Sequence, residues 1–193
     1  MVIALRILIV AALQTAALAY MIVDRQATLN SAHVVTLKMA PVDPRDIFRG
    51  DYVILNYEIS TLELDKLQGE DAFGYGDKVF VTLVRNGDTW NATAIARKPV
   101  PAPGGVAIAG TVDSFTSREA PAGADPNAPP PLKSVTITYG IESYFVPEGT
   151  GHVIEDERRK GELSVDVAID DAGRAAIKAL RRNGQVFYVE GFF

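Results

Sequence analysis

One stretch limits this chain more than any other. From Val2 to Val23 it reads VIALRILIVAALQTAALAYMIV, with Arg6 as its one charge. As a helix rising about 1.5 Å per residue, Ile7 to Val23 alone spans about 25 Å. Extension back past Arg6, whose long side chain reaches toward water, brings the run to the roughly 30 Å of a hydrocarbon core. A retained single-span anchor is the expectation. The competing reading is a cleaved signal peptide with Ala17-Leu18-Ala19 as its A-x-A site, and a helix buried in a soluble core is a third. The apolar run continues through Tyr20-Met21-Ile22-Val23 beyond that site, which favours the anchor. Arg6 and the terminal amine favour a cytoplasmic N-terminus. The rest of the chain is then expected outside the cytoplasm, as a periplasmic domain on a bacterial inner membrane. Gln14 is a mild cost within the span and could make a helix–helix contact. Asp24 to Ser31 is polar and is expected to carry the helix into the interface before a short link.

Composition narrows the remainder. At 193 residues and 48% hydrophobic, the chain can build one domain with a sizeable core or two small ones. A net charge of -5 with scattered Lys and Arg argues against nucleic-acid binding, which wants a basic stripe. With no cysteine, disulfides, thiolate catalysis and cysteine-based zinc sites all drop out. His33 and His152 are too few and too isolated for a histidine-rich metal centre, so neither metal nor cofactor is expected. No nucleophile elbow, phosphate-cradling loop, H-E-x-x-H or dinucleotide fingerprint occurs, and no enzyme activity is expected.

Beyond the apolar run the dominant period is two. Val35, Leu37 and Met39 alternate with polar neighbours over His33 to Met39, which predicts a strand ended by Pro41. Val53, Leu55, Tyr57 and Ile59 form one face of a second predicted strand. Val135, Ile137, Tyr139 and Ile141 repeat the same pattern, V-x-[L/I]-x-Y-x-I. Each is followed by another alternating run ending in a glycine turn. The first is Val79, Val81 and Leu83 before Asn86-Gly87; the second is Val165, Val167 and Ile169 before Asp170-Asp171-Ala172-Gly173. Return strands are expected over Thr89 to Lys98, with Trp90, Ala92, Ala94 and Ala96 in step, and over Arg174 to Arg182. Ala175 to Arg182 could instead be a short helix on composition. Further strands are expected over Val106 to Val112 and Gln185 to Phe193. Thr61 to Gly69 reads as a short helix or turn.

The fold class expected is mainly β (β-rich α+β): a transmembrane helix followed by a barrel-like or sandwich domain, with two halves that look pseudo-repeated. The boundaries are 1–31 for the anchor and link, 32–116 for the first half, 117–131 for a Pro/Ala-rich exposed loop and 132–193 for the second half.

Chemistry has few places to sit. Asp43-Pro44-Arg45-Asp46 reads as a type I turn, with Phe48 beneath it and Gly50-Asp51 as a second corner. Asp43, Arg45, Asp46, Arg49 and Asp51 interleave opposite charges, which either brace the turns or present an arginine fork to a carboxylate or phosphate. Glu142, Glu148, His152 and Glu155 form a second acidic stretch, read as a solvated loop. The candidate binding residues are Arg45, Asp46, Arg49, Asp51, Tyr52, Tyr57, Tyr139 and Glu142. Tyr57 and Tyr139 are expected mainly in the core with their hydroxyls bonded internally.

Gly50-Asp51-Tyr52-Val53-Ile54-Leu55-Asn56-Tyr57 resembles, letter for letter, the GDYxxLxY pattern of the GDYXXLXY protein family. PVDPRDIFR before it and YGIESYFVPEGTGHVIE after it are also similar to that family, as is one N-terminal span followed by an exported domain. The resemblance covers nearly the whole chain. It implies no particular reaction. Members stand beside polytopic membrane proteins, which implies a partner in the membrane. A fainter likeness is to membrane-anchored type I signal peptidases, where a Ser-Met-x-Pro box precedes a Gly-Asp turn. Here Lys38 occupies the place of the serine in Lys38-Met39-Ala40-Pro41, so that chemistry cannot run and at most a barrel-like topology is implied. The leading expectation is a binding or assembly module for an integral membrane partner. The alternatives are a hydrolase using Asp46 or Asp51 with Glu142, and a sensor of small anions at the arginines.

Overall fold

The protein is described here by a computed structural model covering residues 2–40, 52–118, 132–145 and 163–189. The Asp43–Asp51 corner, most of the Pro/Ala-rich loop and the Glu148–Glu155 stretch lie outside the described residues, and with them Arg45, Asp46, Arg49 and Asp51.

The apolar run forms α1 (Val2–Leu29), which is exposed from Ile3 to Val23, with no cover from the other described residues. Its Ile3–Leu29 portion is long and apolar enough to cross a membrane. Only Asn30, Ser31 and Ala32 lie between it and β1 (His33–Lys38).

The remainder is β-rich. β1, β10 (Leu163–Ile169), β11 (Ala175–Arg182) and β12 (Gln185–Val189) make one antiparallel sheet in that order. A six-stranded sheet runs β3 (Thr61–Glu63), β8 (Leu132–Thr138), β7 (Val106–Arg118), β5 (Lys78–Asn86), β6 (Thr89–Ala96) and β4 (Gln68–Gly69). A short pair, β2 (Tyr52–Ile54) with β9 (Ser143–Phe145), stands apart from both. Side chains from both larger sheets and from β9 meet in one core, which includes Leu37, Leu55, Tyr57, Leu83, Ile137 and Leu180.

Alternation marked the buried positions well. Val35, Leu37 and Met39 are buried, as are Val79, Val81, Leu83, Val165, Val167 and Ile169. Three expectations change, and at Ala175–Arg182 the expected return strand stands while its helical alternative falls away. The second predicted strand is continuous only to Ile54; Glu58–Ser60 is a turn of 3-10 helix, yet Leu55, Tyr57 and Ile59 all stay buried. Thr61 to Gly69 holds two short strands around a 3-10 turn at Leu64–Lys66, not a helix alone. Ala175–Arg182 is a strand: pairing with β10 and β12 on both edges overrides its helix-favouring alanines. β6 ends at Ala96 with Ala94, Ile95 and Ala96 all buried, and its pairing with β5 shifts register at Thr82/Leu83. That bulge removes the strict parity expected of Trp90, Ala92, Ala94 and Ala96.

One buried carboxylate ties the four-stranded sheet. Asp166 accepts from Thr36 Oγ1 at 2.7 Å and from Arg181 Nε at 2.7 Å, joining β1, β10 and β11. Among the glycines, Gly110 has a packing reason. A Cβ there would stand 2.4 Å from Ile137 Cγ2 and 3.0 Å from the Tyr139 ring, so β7 can approach only without one.

Candidate functional site

Two constructions stand out from the scaffold, one inside it and one where it meets α1. The inner one is a crossing between residues 52–63 and 134–145. β2 pairs with β9 through Tyr52↔Phe145, Val53↔Tyr144 and Ile54↔Ser143. β3 pairs with β8 through Thr61↔Thr136, Leu62↔Val135 and Glu63↔Ser134. Between these short ladders both chains bend, and two tyrosines reach across. Tyr57 donates its hydroxyl to the Ile141 carbonyl at 2.6 Å, and Tyr139 donates its own to the Ile59 carbonyl at 2.7 Å. Each backbone amide is met three residues on. The Tyr57 amide donates to Ser60 Oγ at 3.1 Å, and the Tyr139 amide donates to Glu142 Oε1. Burial, followed by the charge of Glu142, pushes both phenols well above their ordinary range. Neutral, buried phenols that have each donated their one proton to a backbone carbonyl are structural parts.

The outer construction joins α1 to the β10–β11 turn. Arg174 donates from Nη1 to Asp24 Oδ2 at 2.6 Å and from Nε to Asp170 Oδ2 at 2.7 Å. Thr28 Oγ1 donates to Asp170 Oδ2 at 3.2 Å, and Arg25 Nη1 donates to the Ala175 carbonyl at 2.9 Å. Ser31 Oγ closes the set on the Ile169 carbonyl at 2.5 Å. The turn is itself preset. Asp170 accepts the amides of Ala172 and Arg174, while Gly173 at φ 81 supplies a left-handed backbone. The sequence leads one to expect Asp24 to Ser31 to carry the helix into the interface before a short link, with no contact to the turn. The local clue was Asp24-Arg25 directly after the span, but its partners lie about 150 positions away.

Beside this joint opens a cleft of about 520 Å³, bordered by Lys78, Phe80, Thr111, Thr138, Ala172 and Arg174. A second cleft of about 430 Å³ lies against Asn56, Tyr57, Glu58 and Thr136. A third, of about 270 Å³, lies beside Trp90, Glu63 and Lys66. Among the described residues no group of three His, Cys, Asp or Glu stands close enough to hold a metal ion.

Of the candidate binding residues, Tyr57, Tyr139 and Glu142 come together at the crossing, where the two phenols are interior and Glu142 is half-buried. Tyr52 is described through its backbone, paired with Phe145. Glu142, the one described carboxylate of the hydrolase alternative, is engaged by the Tyr139 amide.

Searches of curated proteins and of solved structures return no significant match. A family model does match, over residues 14–180, from the middle of α1 almost to the end of β11. The chain belongs to the GDYXXLXY protein family.

Proposed function

We propose that this protein is a single-pass, membrane-anchored assembly module whose β-body sits outside the cytoplasm and docks on an integral membrane partner. The observation that carries the reading is the joint: α1 continues into the sheets without slack, and Arg174, Asp24, Asp170, Thr28 and Arg25 lock the β10–β11 turn to its end. A tethered enzyme or ligand sensor gains from a loose stalk that lets its site roam. A body keyed to its helix presents one fixed face along the bilayer, as a neighbour in the same membrane requires. Arg6 favours the N-terminal side of the span inside, giving a periplasmic body on a bacterial inner membrane. The test is purification of the full chain in mild detergent, after cross-linking in cells. Co-purification of a polytopic protein, diminished by Arg174→Ala with Asp24→Ala, is the expected result. A chain that elutes alone after cross-linking sinks the proposal.

The body itself reads best as a tandem duplication. Sliding the first crossing segment by the spacing of Tyr57 and Tyr139 carries Tyr52–Ile54 onto Ser134–Thr136 and Thr61–Glu63 onto Ser143–Phe145. The β2–β9 pairs then become the β8–β3 pairs. The reciprocal hydroxyl bonds exchange in the same way, and so do the amide bonds to Ser60 and Glu142. On this reading the units are β1, β2–β3, β5 and β6, then β7, β8–β9, β10 and β11. Each leading strand has crossed over: β1 pairs with β10, and β7 pairs with β5. The division then falls near Pro103-Gly104 rather than in the Pro/Ala-rich loop. Cutting the backbone there is expected to leave two fragments that co-elute under native conditions; fragments that separate and stay folded would refute the exchange.

A further inference from the structure

The cleft beside the joint is built differently from the other two. Lys78, Thr111 and Thr138 are register partners on β5, β7 and β8, so they stand in a row on one face of the sheet. Neighbouring strands lie about 4.8 Å apart, so an ammonium and two hydroxyls span roughly 10 Å. None of the three makes an ion pair or side-chain hydrogen bond among the described residues. Facing the row is the β10–β11 turn, pinned to β7 by the Ala109 amide donating to the Gly173 carbonyl at 2.8 Å. That turn brings Arg174, whose Nε and Nη1 are engaged by Asp170 and Asp24 and whose Nη2 is not. Phe80 and Ala109 lie in register on the same face as the row and supply an apolar flank. Among the described residues no carboxylate lines the cleft, and Lys78 and Arg174 do. Its volume of about 520 Å³ lies in the range of small-molecule sites.

The position of the cleft decides the ligand. Ala172 and Arg174 line it, and Arg174 also grips Asp24, the first residue after the uncharged run that ends at Val23. The cleft therefore opens within a helical turn or two of where the span leaves the hydrocarbon. At that depth the abundant anion with an apolar extension is a phospholipid headgroup. We infer that this cleft takes the headgroup of an anionic phospholipid from the leaflet in which α1 ends. Lys78 and Arg174 meet the phosphate, Thr111 and Thr138 donate to its oxygens, and Phe80 covers the glycerol. This rests on the membrane-anchored reading above. A bound lipid of this kind would seat the body against the bilayer in the orientation that the joint sets.

The test uses the full chain in mild detergent, titrated with phosphatidylglycerol or phosphatidylcholine and read by native mass spectrometry. Expected is one phosphatidylglycerol retained per chain where phosphatidylcholine is not. Lys78→Glu and Thr138→Asp each lower that retention about tenfold, while Lys66→Glu in the cleft beside Trp90 leaves it unchanged. Both positions are exposed, and an unaltered melting temperature verifies that the variants fold. Equal retention of the two lipids, or retention indifferent to Lys78→Glu, overturns the inference. Displacement of the lipid by millimolar inorganic phosphate also overturns it, in favour of a free-anion site. Carbonate extraction of membranes separates the two readings. A chain released by carbonate refutes the anchor; a chain that stays but retains no lipid refutes this site alone.

Discussion

Replacing Tyr139 with phenylalanine puts the crossing to a quantitative test. The ring stays and no cavity opens, so the change removes one hydroxyl and orphans the Ile59 carbonyl it met at 2.7 Å. An unmet buried acceptor costs about 1–3 kcal/mol, and for a domain of this size each kcal/mol moves the melting temperature by about 2–4 °C. Tyr57→Phe orphans the Ile141 carbonyl and is expected to match it in size. The pH dependence sharpens the test. In the unfolded chain a phenol ionises near pH 10, whereas burial and then Glu142 keep the folded phenols neutral far above that. Ionisation above pH 10 therefore favours the unfolded state. The stability each phenol contributes is complete below pH 10 and drains at about 1.4 kcal/mol per pH unit until the folded group also ionises. The penalty of Tyr139→Phe at pH 7 should accordingly shrink by about 1.4 kcal/mol at pH 11, because the parent weakens while the variant lacks that phenol. The assay is urea unfolding of the detergent-solubilised full chain at both pH values. A penalty below about 0.5 kcal/mol at pH 7, or one that stays level to pH 11, refutes the account of the crossing.

Three further outcomes follow from the geometry. Gly110→Val should destabilise by about 1–3 kcal/mol or more by driving β7 off Ile137 and Tyr139, measured by the same unfolding, with Gly140→Ala in open space but at φ 78 as a milder comparison. Asp166→Ala should cost about 1–3 kcal/mol, since Thr36 and Arg181 lose their shared acceptor; Asp166→Asn should recover part of it. Arg174→Ala should leave the unfolding midpoint nearly unchanged, because its ion pairs are half-exposed and screened by solvent. It should nevertheless broaden the distance distribution between spin labels on α1 and on β12, and an unbroadened distribution would mean that the joint is held by other contacts.

Much of the sheet interior was legible because the β period is local. Val35, Leu37, Val79, Val81, Val165 and Val167 announce their own burial, whichever strand they pair with. The same signal misled at Tyr57 to Ser60. Leu55, Tyr57 and Ile59 keep an inward parity although the backbone has left the strand for a 3-10 turn, so burial alternated where ladder hydrogen bonds did not. The bulges at Thr82/Leu83 and Asp166/Val167 were invisible because they arise from fitting two strands together. The hydroxyl bonds of Tyr57 and Tyr139 were readable in kind, since a buried phenol needs an acceptor, but not in partner. The joint was unreadable for a similar reason. Nothing near Asp24 says that Arg174 awaits it, and the charges that stand out in the sequence are those of the Asp43–Asp51 corner.

The lack of slack after Leu29 also makes α1 behave as a keyed shaft. An α-helix turns about 100° and advances about 1.5 Å with each residue. One amino acid inserted between Leu18 and Val23 would swing the preceding part of α1 by about 100° against everything bolted to Arg174, while seven would restore the phase to within about 20°. Length variation here is thus a change of heading, and a graded insertion series would trace any partner's grip on the protein as a periodic function of the number of residues added.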